Sequence, residues 1–309
     1  MSSRLAISIC GVSLKNPVLA ASGTYAYGVE FQSLVDLSAI GGIIVKGLSR
    51  EPMEGNPPPR LYETESGMLN SIGLQNIGVR AFVEQKLPAL RSSDTAIIAN
   101  IFGYSVEDYC EVARVLDDAE GLAAYELNVS CPNTKHGGIF FSSDPAMLSQ
   151  VVQKVRSATR RPLIVKLSPN VASIQPLAQA AAEAGADAVS LVNTFIALAV
   201  DARARRPRIG AGFAGLSGPA IKPIALRMVY EAAQAVKIPV IGLGGIANGI
   251  DAAEFLIAGA SAVEVGTANF WDPQSPVRVA RELDQFLKQE KIPRVTDLIG
   301  TLQFNLGEQ

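Results

Sequence analysis

Eight short apolar runs recur along the 309 residues of the chain, and each is followed by glycine or a polar residue and then by a helical pattern. The runs consist mainly of Val, Ile, Leu and Ala, which is typical of parallel strands that helices cover on both faces. Eight such units predict an α/β fold, a (β/α)8 TIM barrel formed by residues 1–309 as one domain, with a doubly wound sheet as the lesser alternative. The predicted strands are 18–23, 41–47, 96–100, 124–130, 163–167, 188–193, 240–244 and 262–266.

The segments outside the strands carry further structural signals. Asp144-Pro145 predicts a helix N-cap followed by a first-turn proline. Before the first strand, residues 5–9 and 12–14 predict a short N-terminal hairpin that closes the barrel floor. Unusually long βα connections form the C-terminal rim of such a barrel and usually carry function. The long connections are 48–78, 132–143 and 194–217.

The composition excludes several classes of protein and of site. A formal net charge of −2 argues against nucleic acid or an anionic membrane as a partner, and the chain has no apolar run long enough to span a bilayer. The single histidine, His136, cannot form a multi-histidine metal site. Three scattered cysteines, Cys10, Cys110 and Cys131, are too few for a zinc ribbon or a four-thiolate iron–sulfur cluster. Since no secretion signal is visible, we expect a cytoplasmic protein that holds no metal.

Polar residues and glycines follow the predicted strands at the end where a barrel carries its active site. Lys46 and Lys166 each follow an apolar run, where an ammonium is costly unless it meets an anion or a strong acceptor. Three asparagines add amide donors and acceptors, and together with the lysines they suit a flat heterocycle and a carboxylate. Glycines after the last two strands allow backbone N–H groups to approach a phosphate. The strand-end residues are Ser22, Lys46, Asn100, Asn128, Lys166, Asn193, Thr194, Gly244, Gly245, Gly266 and Thr267.

Cys131 lies three residues beyond Asn128, at the predicted rim. A nearby lysine would favour its thiolate, which could act as a base or a nucleophile. The alternative is an inert buried thiol, which is how we interpret Cys10 and Cys110.

Two other interpretations of the strand ends stay open. Gly242, Gly244 and Ala247 match the nicotinamide-binding pattern G-x-G-x-x-A, with Glu264 at about the distance expected for a ribose contact. Lys166 could instead form a Schiff base with a carbonyl substrate.

Three motifs resemble those of the class 1 dihydroorotate dehydrogenases, and the resemblance covers nearly the whole chain. The motifs are Asn128-Val129-Ser130-Cys131-Pro132-Asn133, Asn70-Ser71-Ile72-Gly73-Leu74-Gln75-Asn76 and Val45-Lys46-Gly47. Gln75 and the segment Lys86-Leu87-Pro88 are similar to the NAD-linked class 1B catalytic subunit rather than to the fumarate-linked class 1A enzyme. Class 2 enzymes use serine as the base, so Cys131 argues against them.

This resemblance implies FMN as the cofactor and dihydroorotate as the substrate. The implied FMN contacts are Ser22, Lys46, Gly47, Asn100, Asn128, Lys166, Val192, Gly218, Gly244, Gly245, Gly266 and Thr267. The implied orotate contacts are Lys46, Asn70, Ser71, Ile72, Gly73, Leu74, Asn128, Asn133, Asn193 and Thr194.

The resemblance also implies a reaction in de novo pyrimidine biosynthesis. Cys131 would remove a proton from carbon 5 of (S)-dihydroorotate while a hydride leaves carbon 6 for the flavin. Electrons would pass to NAD through a partner subunit that carries FAD and a [2Fe–2S] cluster, with a homodimer of this chain as the core of a heterotetramer. The alternatives are the fumarate-linked class 1A enzyme, a dihydropyrimidine dehydrogenase with a neutral substrate, and a flavin-binding scaffold without catalysis.

Overall fold

The centre of the computed structural model, which describes residues 3–129 and 138–304, is a closed barrel of eight parallel strands. In chain order the strands are β1 Ile7–Ile9, β2 Val12–Leu14, β3 Val18–Ala20, β4 Gly42–Ile44, β5 Leu61–Thr64, β6 Gly67–Asn70, β7 Ala96–Ile101, β8 Ala124–Asn128, β9 Leu163–Lys166, β10 Ala188–Leu191, β11 Phe195–Ala197, β12 Val200–Asp201, β13 Arg206–Pro207, β14 Ala214–Ser217, β15 Val240–Leu243 and β16 Ala262–Val265. The barrel runs β3-β4-β7-β8-β9-β10-β15-β16 and closes back on β3. All eight predicted runs therefore form the barrel, and the doubly wound alternative is wrong.

Helices follow the barrel strands and pack against their outer faces. The Asp144 carboxylate accepts hydrogen bonds from the backbone N–H groups of Ala146 (2.7 Å) and Met147 (3.1 Å), which confirms the predicted N-cap. No helix among the described residues is both long and apolar enough to cross a bilayer. The helices are α1 Val79–Ala81, α2 Leu87–Leu90, α3 Val106–Asp117, α4 Gly138–Ser143, α5 Pro145–Ala158, α6 Gln175–Glu183, α7 Lys222–Ala235, α8 Gly249–Ile257, α9 Ala268–Trp271 and α10 Ser275–Gln289. A π-helical turn, Phe82–Lys86, joins α1 to α2, and 3₁₀ turns occur at Ser3–Leu5, Val29–Phe31, Leu37–Ala39, Pro219–Ile221 and Val295–Leu298.

The lower part of the barrel lumen is filled by apolar side chains. Alternate residues of a strand face the lumen, so each barrel strand contributes a residue to this layer. The hairpin β1–β2 packs Ile9 and Leu14 against the layer from below, which confirms the predicted floor. The layer consists of Leu19, Ile44, Ile98, Ala124, Ile164, Ala188, Ile241 and Ala262.

Two of the long connections fold into a second sheet that the sequence analysis did not predict. It is antiparallel, with the order β11-β14-β6-β5. Strands β5 and β6 belong to the connection that follows β4, whereas β11 and β14 belong to the connection that follows β10. The pairing of β6 with β14, which sets Asn70 opposite Gly215, therefore ties two distant rim segments together.

The hairpin floor gives a testable contribution to stability. Replacing Leu14, which is 5% exposed, by alanine leaves a cavity beneath the lumen, so we expect the free energy of unfolding to fall by about 2–5 kcal/mol. Ser13 lies on the exposed face of the same strand, and Ser13→Ala should change that free energy by less than about 0.5 kcal/mol. Urea denaturation of both variants measures the difference. Equal midpoints would show that the hairpin does not seal the barrel.

Candidate active site

The carboxyl ends of the barrel strands form a mouth, and most of the described residues that were predicted to form the site lie at this mouth or in the segments above it, whereas Lys166 lies inside the lumen. Cys131 and Asn133 lie outside the described residues. The structure describes Asn128 and Val129 of this motif. Asn128 ends β8 and is 8% exposed, and its backbone carbonyl accepts a hydrogen bond from the Tyr109 hydroxyl (3.0 Å).

Several of the glycines predicted to contact the cofactor lie close to one another. Gly218 and Gly245 have φ angles of +97° and +83°, and a Cβ on Gly245 would come within 2.8 Å of the Gly218 carbonyl oxygen. A Cβ on Gly218 would come within 2.8 Å of the Gly67 Cα, and one on Gly244 would come within 2.7 Å of the Ala225 Cβ. Side chains at these glycines would therefore collide within the turns, and their absence leaves the backbone accessible at the mouth.

A buried acceptor without a partner lies at the same end of the barrel. Asn100 is 1% exposed, and its Nδ2 donates to Glu126 Oε1 at 2.6 Å. Its Oδ1 has no hydrogen-bond partner among the described residues, and a Cβ on Gly47 would approach that oxygen to 2.9 Å. A buried acceptor left unpaired is costly, so this oxygen fits a ligand that brings an N–H group. Such an acceptor, the lysines and the glycine turns together fit the polar edge and the phosphate of FMN.

The pairing of β6 with β14 unites the two parts of the predicted substrate set. The Asn70 side chain donates from Nδ2 to the Gly215 carbonyl at 3.4 Å. Thr194 lies against the same glycine, because a Cβ on Gly215 would overlap the Thr194 hydroxyl. The Asn193 side chain accepts a hydrogen bond from the Thr194 backbone N–H at 2.8 Å. Residues far apart in the chain thus meet beside the mouth.

Asn56 holds the predicted substrate turn, and the sequence analysis missed it. Its Nδ2 donates to the Ser71 hydroxyl (2.9 Å) and the Ser71 carbonyl (3.1 Å), and its backbone N–H donates to the Ile72 carbonyl (2.9 Å). Gly73 has a φ angle of +73°, and a Cβ there would lie 2.6 Å from Asn56 Oδ1. Only glycine fits this position. No sequence signal links Asn56 to the turn, because the contact depends on the folding of the whole connection.

Lys166 lies deeper than the mouth, inside the lumen. Its ammonium is 2.9 Å from Glu264 Oε2 and 3.3 Å from Glu126 Oε1, and all three side chains are buried. Burial by itself would lower the pKa of Lys166, but the two carboxyl groups outweigh burial and raise its pKa above the ordinary value. A permanently charged amine is a poor nucleophile, which argues against the Schiff-base interpretation. Because Glu264 is engaged here, within a closed barrel, the nicotinamide-binding interpretation is wrong.

Cys10 lies against the floor of the barrel, and Cys110 is buried in helix α3. The Cys10 thiol donates to the Asp187 carbonyl at 3.0 Å, and burial together with the Asp187 carboxylate raises its pKa to about 11. Burial also raises the pKa of Cys110, in helix α3. Both thiols stay protonated at neutral pH, in agreement with their structural interpretation.

Comparisons with known proteins agree on dihydroorotate dehydrogenase but name different electron acceptors. The family model described as "Dihydroorotate dehydrogenase" matches residues 4–287. A protein of Solibacter usitatus named "Putative dihydroorotate dehydrogenase A (fumarate)" is 71% identical over 98% of this chain and 100% of its own length. Proteins of Geobacter sulfurreducens and Citrifermentans bemidjiense, both named "Dihydroorotate dehydrogenase B (NAD(+)), catalytic subunit", are 55% and 53% identical over 97% of this chain and 98% of their own lengths.

The cysteines should differ sharply in reactivity. At pH 8 the Cys10 thiol, with a pKa of about 11, is ionised in about one molecule in a thousand, so we expect iodoacetamide to spare it. Burial also raises the pKa of Cys110, so we expect this thiol to react slowly too. If Cys131 is a rim thiolate, it reacts much faster in the ligand-free protein. Timed labelling followed by peptide mass spectrometry measures the three rates, and urea-unfolded protein, in which all three react alike, is the control. Rapid labelling of Cys10 in the folded protein would contradict the assignment.

Proposed function

This chain belongs to the dihydroorotate dehydrogenase family, and we propose that it oxidises (S)-dihydroorotate to orotate in pyrimidine biosynthesis, with FMN bound in the barrel mouth. The pairing of β6 with β14 carries this proposal. It brings Asn70 and Thr194, from the two halves of the expected substrate set, to one glycine beside the strand ends.

The described residues suit FMN in two regions of the mouth. When bound, FMN supplies hydride acceptance, a chemistry that no side chain provides. The glycine turns at Gly218, Gly244, Gly245 and Gly266 would take its phosphate, and Asn100 Oδ1 would accept a hydrogen bond from its ring. The remaining contacts in the proposal are Ser22, Lys46, Gly47, Asn128, Lys166, Val192 and Thr267.

The chain's own side chains would bind the substrate and take its proton. The Lys46 ammonium would pair with the substrate carboxylate, and amides at the mouth would hold the ring amides, so that charge developing in the ring meets donors already in place. Cys131, as a thiolate, would remove the proton from carbon 5. The remaining substrate contacts in the proposal are Asn70, Ser71, Ile72, Gly73, Leu74, Asn128, Asn133, Asn193 and Thr194.

Removing the base should slow the reaction without emptying the cofactor site. A positioned general base contributes about 10²–10⁴-fold, so Cys131→Ala should lose about that factor in turnover and keep its yellow colour. Cys10→Ala, at the opposite end of the barrel, should keep wild-type turnover. The rate at which dihydroorotate bleaches the flavin under anaerobic conditions measures turnover in each variant. In the same assay dihydrouracil should react poorly with the wild type, because it has no carboxylate to pair with Lys46. Near-normal bleaching by Cys131→Ala would overturn the role of the thiol.

For the electron acceptor, we propose NAD, reached through a partner subunit. Relatives 50–55% identical to this chain are named NAD-linked catalytic subunits, and the three dispersed cysteines of this chain cannot bind an iron–sulfur cluster. The partner would carry FAD and a [2Fe–2S] cluster and bind a homodimer of this chain in a heterotetramer. A free catalytic thiol also suits the reducing cytoplasm. Fumarate is the second candidate, because the 71% identical relative is named for it.

Assays of the isolated chain distinguish between NAD and fumarate as the electron acceptor. We expect it to oxidise dihydroorotate with an artificial dye, but to reduce neither NAD nor fumarate at a comparable rate, because in the proposed class the electrons reach NAD only through the redox centres of the partner subunit and fumarate is not the acceptor. Stopped-flow assays with each acceptor, with the dye as positive control, measure this. Fast fumarate reduction would assign the chain to the fumarate-linked class, and efficient NAD reduction without a partner would contradict both.

A further inference from the structure

A buried layer of ionisable side chains fills the barrel between its apolar floor and its mouth. Glu126, Lys166 and Glu264 each lie two residues beyond a floor residue of the same strand, so all three face the lumen. The Lys166 ammonium touches both carboxyl groups, at 3.3 Å and 2.9 Å, and neither carboxylate side chain has any exposed surface. This lumen triad therefore has to balance its own charge.

The two carboxyl groups have unequal surroundings. Glu126 accepts hydrogen bonds from Lys166, from the Ser190 hydroxyl (2.8 Å) and from Asn100 Nδ2 (2.6 Å), a donor set that suits an anion. Glu264 accepts from Lys166 alone, and its Oε1 has no hydrogen-bond donor among the described residues. The two carboxyl groups contact the same ammonium, and each acts on the pKa of the other. A proton on Glu264 would allow one carboxyl group to donate a hydrogen bond to the other.

Charge balance leads to the same conclusion. Two carboxylates and one ammonium would leave a net negative charge in a dry lumen, which is strongly unfavourable. The charges that act on Glu264 come from Glu126 and Lys166. At this level β7, β10 and β15 contribute the neutral side chains Asn100, Ser190 and Leu243, and the position beyond β3 is an alanine. The next cation, Lys46 beyond β4, is only half-buried and is not among the charges that shift the pKa of Glu264. One bound proton makes the triad neutral, as in other pairs of carboxyl groups that share a site.

The pKa shifts point in the same direction. Burial and the Glu126 carboxylate raise the pKa of Glu264 well above its ordinary value, although Lys166 opposes them. Burial alone would also raise the pKa of Glu126, but Lys166 and the hydrogen-bond donors around it lower that pKa below the ordinary value.

We propose that Glu126 and Glu264 are positioning residues for Lys166 with unequal roles: Glu126 is the anion that balances the ammonium, and Glu264 is a neutral acid that shares its proton with Glu126 and fixes the ammonium in place. The consequence for a bound flavin rests on the proposed function, in which Lys166 contacts FMN. The flavin then lies above a neutral triad rather than above a bare cation.

Infrared spectroscopy tests the shared proton whether or not flavin is bound. At pH 8 the purified full chain should show the carbonyl stretch of a protonated carboxyl group, seen as a difference between wild type and variant so that flavin bands cancel. Glu264→Gln should abolish this band because it removes the acid. Glu126→Gln should also abolish it, because Glu264 then ionises against Lys166. Glu183→Gln, at an exposed position in α6, is the control and should leave the band unchanged.

Each contrary infrared result overturns the proposal. No band in the wild type would show two carboxylates, and a band that survives Glu264→Gln would place the proton elsewhere. A band that survives Glu126→Gln would show that Glu126 does not share it.

The reduction potential of the bound flavin tests the consequence separately. Either single glutamine variant keeps one carboxylate against Lys166, so the potential should stay near that of the wild type. The double variant leaves an unbalanced ammonium, which favours the more negative reduced flavin and should raise the potential. Two equal upward steps from the single variants would indicate two carboxylates and contradict the proposal. An unchanged potential in the double variant would show that the charge of Lys166 does not affect the reduction potential of the flavin. The infrared result would be independent of this outcome.

Discussion

Closure of the barrel is the constraint on which the other features depend. In a closed parallel barrel every second side chain of each strand must enter a lumen with little room for water, so the sequence of each strand fixes what lies at each level. Leu19 and its neighbours form an apolar floor, Glu126, Lys166 and Glu264 form an ionic layer above it, and the mouth carries amides and glycines. The ionic layer is tolerated because its members pair with one another, and it holds Asn100 through Glu126 with one amide oxygen left for a ligand.

Strand periodicity and turn chemistry made most of this barrel predictable. The eight apolar runs, the hairpin below them and the cap at Asp144 are local signals, and each is found where it was expected. The partners of Lys166 were not predictable, because Glu126 and Glu264 lie 40 and 98 residues away from it and meet it only when the barrel closes.

The sheet beside the mouth shows the opposite case. Its strands alternate only weakly, and β5 is half exposed along its length, so the two long connections resembled irregular loops. Their pairing depends on the barrel having already placed the ends of β4 and β10. For the same reason the roles of Asn56 and Gly215 could not be predicted from the sequence. Asn70 and Thr194 were predicted only because of the family resemblance.

The hairpin beneath the barrel has a kinetic consequence. Since β1–β2 and the apolar layer close one end of the lumen, the ionic layer lies in a well that opens only towards the mouth. Water can reach Glu264 from that side alone, so a ligand bound at the mouth would block its access. Exchange of hydrogen for deuterium at the ionic layer would then be limited by the rate at which that ligand dissociates. A small N-terminal hairpin, far from the reacting atoms, thus determines the route by which the lumen exchanges with solvent.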